Sequence, residues 1–135
     1  IGTGSGYQTA VLSRIVDKVF TIEIVEQLAS QATKTLKHLA IENVRSRAGD
    51  GYHGWPEQAP FDAIILTAAP EKIPQPLLNQ LAIGGRIILP LGNFEQKLIL
   101  LEKTKEDLIT HELLPVSFVP MTGEVKITST KQEKS

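Results

Sequence analysis

Three alternating glycines and two later acids carry most of the chemistry that this sequence suggests. Gly2, Gly4 and Gly6 stand in Ile1-Gly2-Thr3-Gly4-Ser5-Gly6-Tyr7, where a backbone without Cβ atoms can turn tightly, visit positive φ and approach a ligand closely. Glu23 falls near the end of the apolar, β-branched run Val19-Phe20-Thr21-Ile22-Glu23-Ile24, and Asp50 sits between glycines in Gly49-Asp50-Gly51. A carboxylate just past a strand end can accept hydrogen bonds from ribose hydroxyls or from an adenine amino group.

The glycine spacing narrows the ligand. A dinucleotide fingerprint has the form GxGxxG and a P-loop needs GxxxxGK followed by Ser or Thr, whereas the glycines here read GxGxG and no lysine or arginine follows them. The loop is therefore suited to a nucleoside without a phosphate chain, and S-adenosylmethionine is the common ligand of that kind. Taken alone, a glycine loop also serves ordinary tight turns. Glu23 reads either as a solvated strand-end charge or as the ribose carboxylate, placed at roughly the interval after the loop that nucleotide-binding α/β folds use. Asp50 reads either as a simple Asp-Gly turn or as the adenine contact. The convergence of loop, Glu23 and Asp50 at three successive strand ends favours the ligand reading, because ligands of such sheets bind there. Further on, the small side chains of Thr67-Ala68-Ala69-Pro70 leave room for a substrate.

These residues need a scaffold of strands and helices to place them. The loop implies a strand before Ile1, and residues 8–16 read as a helix with Ala10, Val11, Leu12, Ile15 and Val16 on its apolar face. Residues 19–24 form a parallel strand. An amphipathic crossover helix over 25–39 places Leu28, Ala29, Ala32, Leu36 and Leu39 at helical spacing, and a short strand over 43–48 leads into the Asp50 turn. Tyr52-His53-Gly54-Trp55-Pro56 is a loop whose tryptophan is expected to pack beside the ligand site. The apolar run over 61–67 suits a central parallel strand buried on both faces. A short helix over 73–81 has Pro74 and Pro76 in its entry, Gly84-Gly85 ends it, and a strand over 86–91 follows. A turn over 92–96 precedes an antiparallel edge hairpin, with strands over 97–103 and 109–114 around the polar turn 104–107. Residues 115–123 form a last ordered segment and 128–135 a polar, disordered tail. The expected fold is α/β: a Rossmann-like, doubly wound, mostly parallel sheet with an antiparallel C-terminal hairpin, in three α/β/α layers.

Composition bounds the function classes. With 135 residues, 41% of them hydrophobic, the chain has the material for one domain with a core. The net charge of −1 provides no basic stripe for extended nucleic-acid binding. The lack of cysteine excludes disulfides, a thiolate nucleophile and cysteine-ligated metals. His38, His53 and His111 are scattered, without the spacing of a metal site. No apolar run reaches membrane-spanning length.

Longer stretches add specificity. IGTGSGYQTAVLS at 1–13, GDGYHGWPEQAPFDAIILTAAP at 49–70, IPQPLLNQL and GGRIILPLG within 73–92, and LLPVSFVPMTGE at 113–124 together resemble the class I S-adenosylmethionine-dependent methyltransferases. Within them they resemble the protein-L-isoaspartate (D-aspartate) O-methyltransferase family. The glycine loop and the acids are shared by many methyltransferases; the GDG turn with its Trp-Pro loop, the APFDAI strand and the FVPMTG ending are more distinctive.

The resemblance implies S-adenosyl-L-methionine as cofactor. It implies that Gly2, Thr3, Gly4, Ser5, Gly6 and Tyr7 hold its methionine part, with Glu23 and Ile24 at the ribose and Asp50 and Gly51 at the adenine. Thr67 and Thr122 would border the cofactor, and Ala68, Val119 and Pro120 the peptide. It implies methyl transfer to the α-carboxylate of L-isoaspartyl and D-aspartyl residues in damaged proteins, giving an ester that cyclises to a succinimide. The implied setting is a cytoplasmic monomer whose partners are isoaspartyl peptides and proteins, with no nucleic acid, membrane or metal. The family's serine-containing segment ahead of the glycine loop has no counterpart here, so an N-terminal truncation is expected and no catalytic residue is assigned within the chain. Two other classes share the loop and the acids: a methyltransferase acting on RNA or a small molecule, and a cofactor-binding fragment without turnover.

Overall fold

The computed structural model describes residues 1–4 and 6–123; Ser5, the Tyr7 side chain and the tail expected over 128–135 lie outside the described residues. The chain divides into two compact units, Ile1–Gly51 and the residues from Tyr52 onward. A two-stranded sheet belongs to the first and a four-stranded sheet to the second.

In the first unit the glycine loop enters helix α1 (Tyr7–Ser13), followed by β1 (Val19–Glu23), α2 (Glu26–His38) and β2 (Val44–Ala48). β1 and β2 pair in parallel, from Val19 opposite Val44 to Glu23 opposite Ala48, with α2 as the crossover. Ala29, Ala32 and Leu36 are its buried residues; they fall at i, i+3 and i+7 and so share one face. Leu28 and Leu39, expected on that face, flank it and are exposed.

Helix α1 ends three residues earlier than its apolar pattern predicts. Asn43 donates its side-chain amide to the carbonyls of Ser13 at 2.7 Å and Val16 at 3.0 Å, one at the helix end and one beyond it, which need partners from outside the helix. The apolar face expected for α1 is also largely solvated, with Ile15 71% exposed and Val11 and Val16 exposed too. The contact of α1 with β1 is instead polar, through buried Thr9 and Thr21.

In the second unit, β3 (Phe61–Ile65), α3 (Gln75–Gln80) and β4 (Leu81–Gly92) form a parallel strand pair with a short crossover helix. β5 (Gln96–Lys103) and β6 (Leu108–Val116) complete an antiparallel meander in the order β3-β4-β5-β6. The core follows from strand alternation: Ile87 faces Leu101 and Leu89 faces Ile99 across the β4–β5 ladder, all buried. Leu77 of α3 and Leu81 are buried as well. Lys103 donates its ammonium to the carbonyls of Leu78 and Leu81 at 2.9 and 3.0 Å, a cation at a helix C-terminus.

Two expectations change here. Among the described residues β3 pairs with β4 alone, and its Asp62 and Ala63 are exposed where burial on both faces was expected. Gly84-Gly85 lies within β4 rather than before it, where the register with β3 shifts between Phe61 and Ala63. A Cβ on Gly85 would stand 2.8 Å from the Ala82 carbonyl oxygen, so the irregularity requires glycine there. The predicted hairpin is present and β6 is the edge strand. No helix among the described residues is long and apolar enough to cross a membrane. The fold is α/β and Rossmann-like, with parallel pairings β1–β2 and β3–β4 and antiparallel pairings β4–β5 and β5–β6.

Candidate functional site

The glycine loop is tied to the end of β1 by its own backbone. The amides of Gly2 and Thr3 donate to the Ile22 carbonyl at 2.9 and 3.3 Å, and the Gly6 amide donates to the Thr3 carbonyl at 3.0 Å. Gly4 and Gly6 take positive φ, +54° and +86°, a region open to glycine at little cost. Gly6 is the N-cap of α1 and packs against α2, since a Cβ there would meet the Ala32 Cβ at 3.3 Å; around Gly4 such a Cβ would meet nothing within 4 Å. One glycine therefore serves packing and the other borders open space.

Glu23 closes the arrangement. It is only 7% exposed, so it is not a solvated strand-end charge. Its Oε1 accepts from the Gly4 amide at 2.9 Å and its Oε2 from the Val25 amide at 3.1 Å. An ionised carboxylate has about four acceptor positions, so capacity remains for a diol beside the loop. The Glu23 carbonyl also accepts from the Gly49 amide at 3.0 Å, which links this strand end to the Asp50 turn. Asp50 is half-buried and Gly51 buried, while Ile24 is exposed.

In the second unit, Thr67 and Ala68 follow β3, and Ala69 forms a parallel bridge with Pro120. The Ala69 amide donates to the Val119 carbonyl and the Met121 amide to the Ala69 carbonyl, both at 2.8 Å. Ala68, Val119 and Pro120, the expected substrate residues, are thus gathered by one backbone bridge. Thr67 stands before it and Thr122 after it. Met121 is buried, whereas Val119, Pro120 and Thr122 are exposed. The Trp55 loop is held from α3: the Trp55 amide donates to Gln80 Oε1, and Gln80 Nε2 donates to the His53 carbonyl, each at 2.8 Å. His38 and His53 are exposed, and His111 lies 3.6 Å from Glu102 on the outer hairpin. Among the described residues no group of His, Asp and Glu is arranged to hold a metal ion.

Sequence reasoning missed the polar anchors. Thr3 and Thr21 share a 2.6 Å hydroxyl contact, and Thr9 donates to Thr21 at 3.4 Å, all three buried. Gln80 and Gln96 are buried as well and each holds a loop by its side-chain amide. The available signal was a polar residue within an apolar strand, as with Thr21 between Phe20 and Ile22, because such a residue must find a partner inside.

A strand-end carboxylate fastened to a glycine loop, in a Rossmann-like α/β chain, fits the class I methyltransferase fold, and solved structures that superpose on it belong to that class. The particular family is given by sequence. Residues 1–126 match the model of protein-L-isoaspartate(D-aspartate) O-methyltransferase, and the chain belongs to that family. It is 52% identical over 126 residues to a protein-L-isoaspartate O-methyltransferase of Gloeobacter violaceus, covering 92% of this chain and 62% of that one. A solved protein-L-isoaspartate O-methyltransferase superposes with a TM-score of 0.90 at 32% identity, over 98% of this chain and 44% of the other. A Plasmodium falciparum chain described as the same enzyme, crystallised with S-adenosyl-L-homocysteine, gives a TM-score of 0.77 at 27% identity, over 91% of this chain and 64% of the other. The chain spans between 51% and 62% of the length of the curated relatives it matches first.

Proposed function

We propose that this chain carries the cofactor site and part of the peptide site of an enzyme that transfers a methyl group from S-adenosylmethionine to the α-carboxylate of L-isoaspartyl and D-aspartyl residues in damaged proteins. The observation that carries the reading is Glu23: a buried carboxylate that fixes the glycine loop through Gly4 and keeps acceptor capacity beside it. The open space around Gly4 fits a ligand lying on the loop backbone. The family match supports a protein carboxylate as substrate over RNA or a small molecule.

In this reading the backbone from Gly2 through Thr3, Gly4, Ser5 and Gly6 to Tyr7 holds the methionine part of the cofactor. Glu23 and Ile24 take the ribose, Asp50 and Gly51 the adenine, and Thr67 and Thr122 complete the cofactor contacts. Ala68, Val119 and Pro120 hold the peptide. S-adenosylmethionine supplies the electrophilic methyl group when bound. The accepting carboxylate is already ionised at neutral pH, so none of the chain's residues needs to remove a proton from it. What these residues contribute is orientation and shelter from water. Residues 1–127 belong to one methyltransferase domain, without its N-terminal part, of an enzyme that acts as a monomer in the cytoplasm without metal, nucleic acid or membrane. The chain's near-neutral charge supports the absence of a nucleic-acid partner.

Calorimetric titration of S-adenosylhomocysteine into the chain tests the cofactor site. Binding that Glu23→Ala and Asp50→Ala each weaken is expected; no binding by a folded sample overturns the assignment. Titration with an isoaspartyl peptide and its aspartyl counterpart tests the substrate, and equal affinity for the two overturns it.

A further inference from the structure

We infer that Gln96 is a positioning residue for the peptide: its side-chain amide fixes the segment 118–121 that presents Val119 and Pro120. This rests on the proposed peptide role of that segment. Gln96 opens β5 opposite Gly92 of β4 and Val116 of β6, and it is buried at 9% exposure. Beyond Val116 the main-chain ladder stops, and the Gln96 side chain takes its place. Its Oε1 accepts from the Phe118 amide at 2.8 Å, and its Nε2 donates to the Phe118 carbonyl at 3.0 Å and to the Asn93 carbonyl at 3.4 Å. A primary amide presents donor and acceptor side by side, so it satisfies both main-chain groups of one residue as a neighbouring strand would.

Among the described residues, burial does little to hold the upstream half of the segment. Phe118 is exposed, Val119 is 69% exposed and Pro120 is exposed, so these side chains do not anchor the backbone by burial. Apolar groups held outward on a fixed main chain are what an apolar stretch of peptide would pack against. Downstream, the bridge to Ala69 and buried Met121 take over. The Gly92 amide donates to the Pro70 carbonyl at 3.0 Å. The β4–β5 hairpin thus grips two segments: Gly92 holds the residues after Thr67-Ala68-Ala69, and Gln96 holds the residues before Val119-Pro120.

The test compares Gln96→Met, which keeps length and burial but loses both hydrogen-bonding groups, with Gln96→Glu, which keeps the acceptor for the Phe118 amide. Amide exchange is followed together with binding of an isoaspartyl peptide and of S-adenosylhomocysteine. For Gln96→Met we expect exchange to quicken at Phe118 and Met121, peptide affinity to fall about tenfold, the loss expected for one net hydrogen bond to ordered backbone, and S-adenosylhomocysteine affinity to stay within twofold. Gln96→Glu turns its second oxygen against the Phe118 and Asn93 carbonyls, so its peptide affinity should fall at least as far as that of Gln96→Met, and it carries the comparison alone should Gln96→Met fail to fold. Unchanged exchange at 118–121 overturns the positioning role. So does quickened exchange with undiminished peptide affinity, or an equal loss of both ligands. A parent chain that binds no isoaspartyl peptide refutes the substrate reading itself, and the peptide role of Gln96 falls with it.

Discussion

Glu23 and Gly4 are joined by a 2.9 Å hydrogen bond in which a buried carboxylate oxygen accepts from a loop amide, while the other oxygen accepts from Val25. The same side chain therefore shapes the loop and fixes the start of α2. Glu23→Gln retains one acceptor oxygen but turns an NH2 group towards the second backbone donor. The expected outcome is a loss of about 2 kcal/mol, because a buried donor loses its charged partner. Urea denaturation measures it, and amide exchange should quicken at Gly4 and Val25 before it does in the second unit.

Gly4 and Gly6 should separate under the same substitution. Both hold positive φ, which costs a residue with a Cβ about 1 kcal/mol or more. At Gly6 the added methyl also presses on Ala32 at 3.3 Å; at Gly4 it enters open space. Gly6→Ala should thus destabilise the chain by about 2 kcal/mol and Gly4→Ala by about half that. The order reverses for ligand binding: Gly4→Ala should weaken S-adenosylhomocysteine more than its stability loss implies. Thermal melts and calorimetry on the two variants decide it.

Thr21 is the polar centre beneath the loop, with Thr3 at 2.6 Å and Thr9 at 3.4 Å. Thr21→Val keeps the shape and removes the shared hydroxyl, leaving two buried hydroxyls short of a partner at a cost of about 1–3 kcal/mol. The double variant Thr3→Val with Thr21→Val should lose less than the two single losses combined, because it removes both members of one contact. Equal additive losses would mean that the contact carries no coupling.

Local pattern made most of the scaffold legible. β1 and β2 showed as β-branched or short runs before turns, α2 as a helical repeat ending near His38, and the β5–β6 hairpin as apolar runs around Thr104 to Asp107. What pattern could not give was partnership. The run Ile64-Ile65-Leu66 reads as a strand buried on both faces, yet Asp62 and Ala63 just before it are exposed. The length of α1 was not legible either, since the side chain that takes up the Ser13 and Val16 carbonyls is Asn43, distant in sequence. Glu23 and the glycines were legible as site candidates by type and spacing. Gln80 and Gln96 were not, because a glutamine on an otherwise ordinary helix or strand start reads as surface until the loop it holds is seen.

Gln80 and Gly54 form a pair whose parts require each other. The glutamine reaches past Gly54 to the main chain on either side, and a Cβ on Gly54, at φ +63°, would run into its side-chain amide. Gln80→Ala leaves the His53 carbonyl and the Trp55 amide without this partner, and the expected loss is about 2 kcal/mol. Gly54→Ala should cost at least as much, through the clash and the backbone strain together. Combining Gly54→Ala with Gln80→Ala removes the clash but not the strain. The double variant should therefore lose less than the single losses combined, by about 1 kcal/mol. Trp55, the one tryptophan in the chain, reports the outcome directly: its emission should shift to the red in each single variant as the loop loosens. Strictly additive losses with unshifted emission would show that Gln80 does not hold this loop.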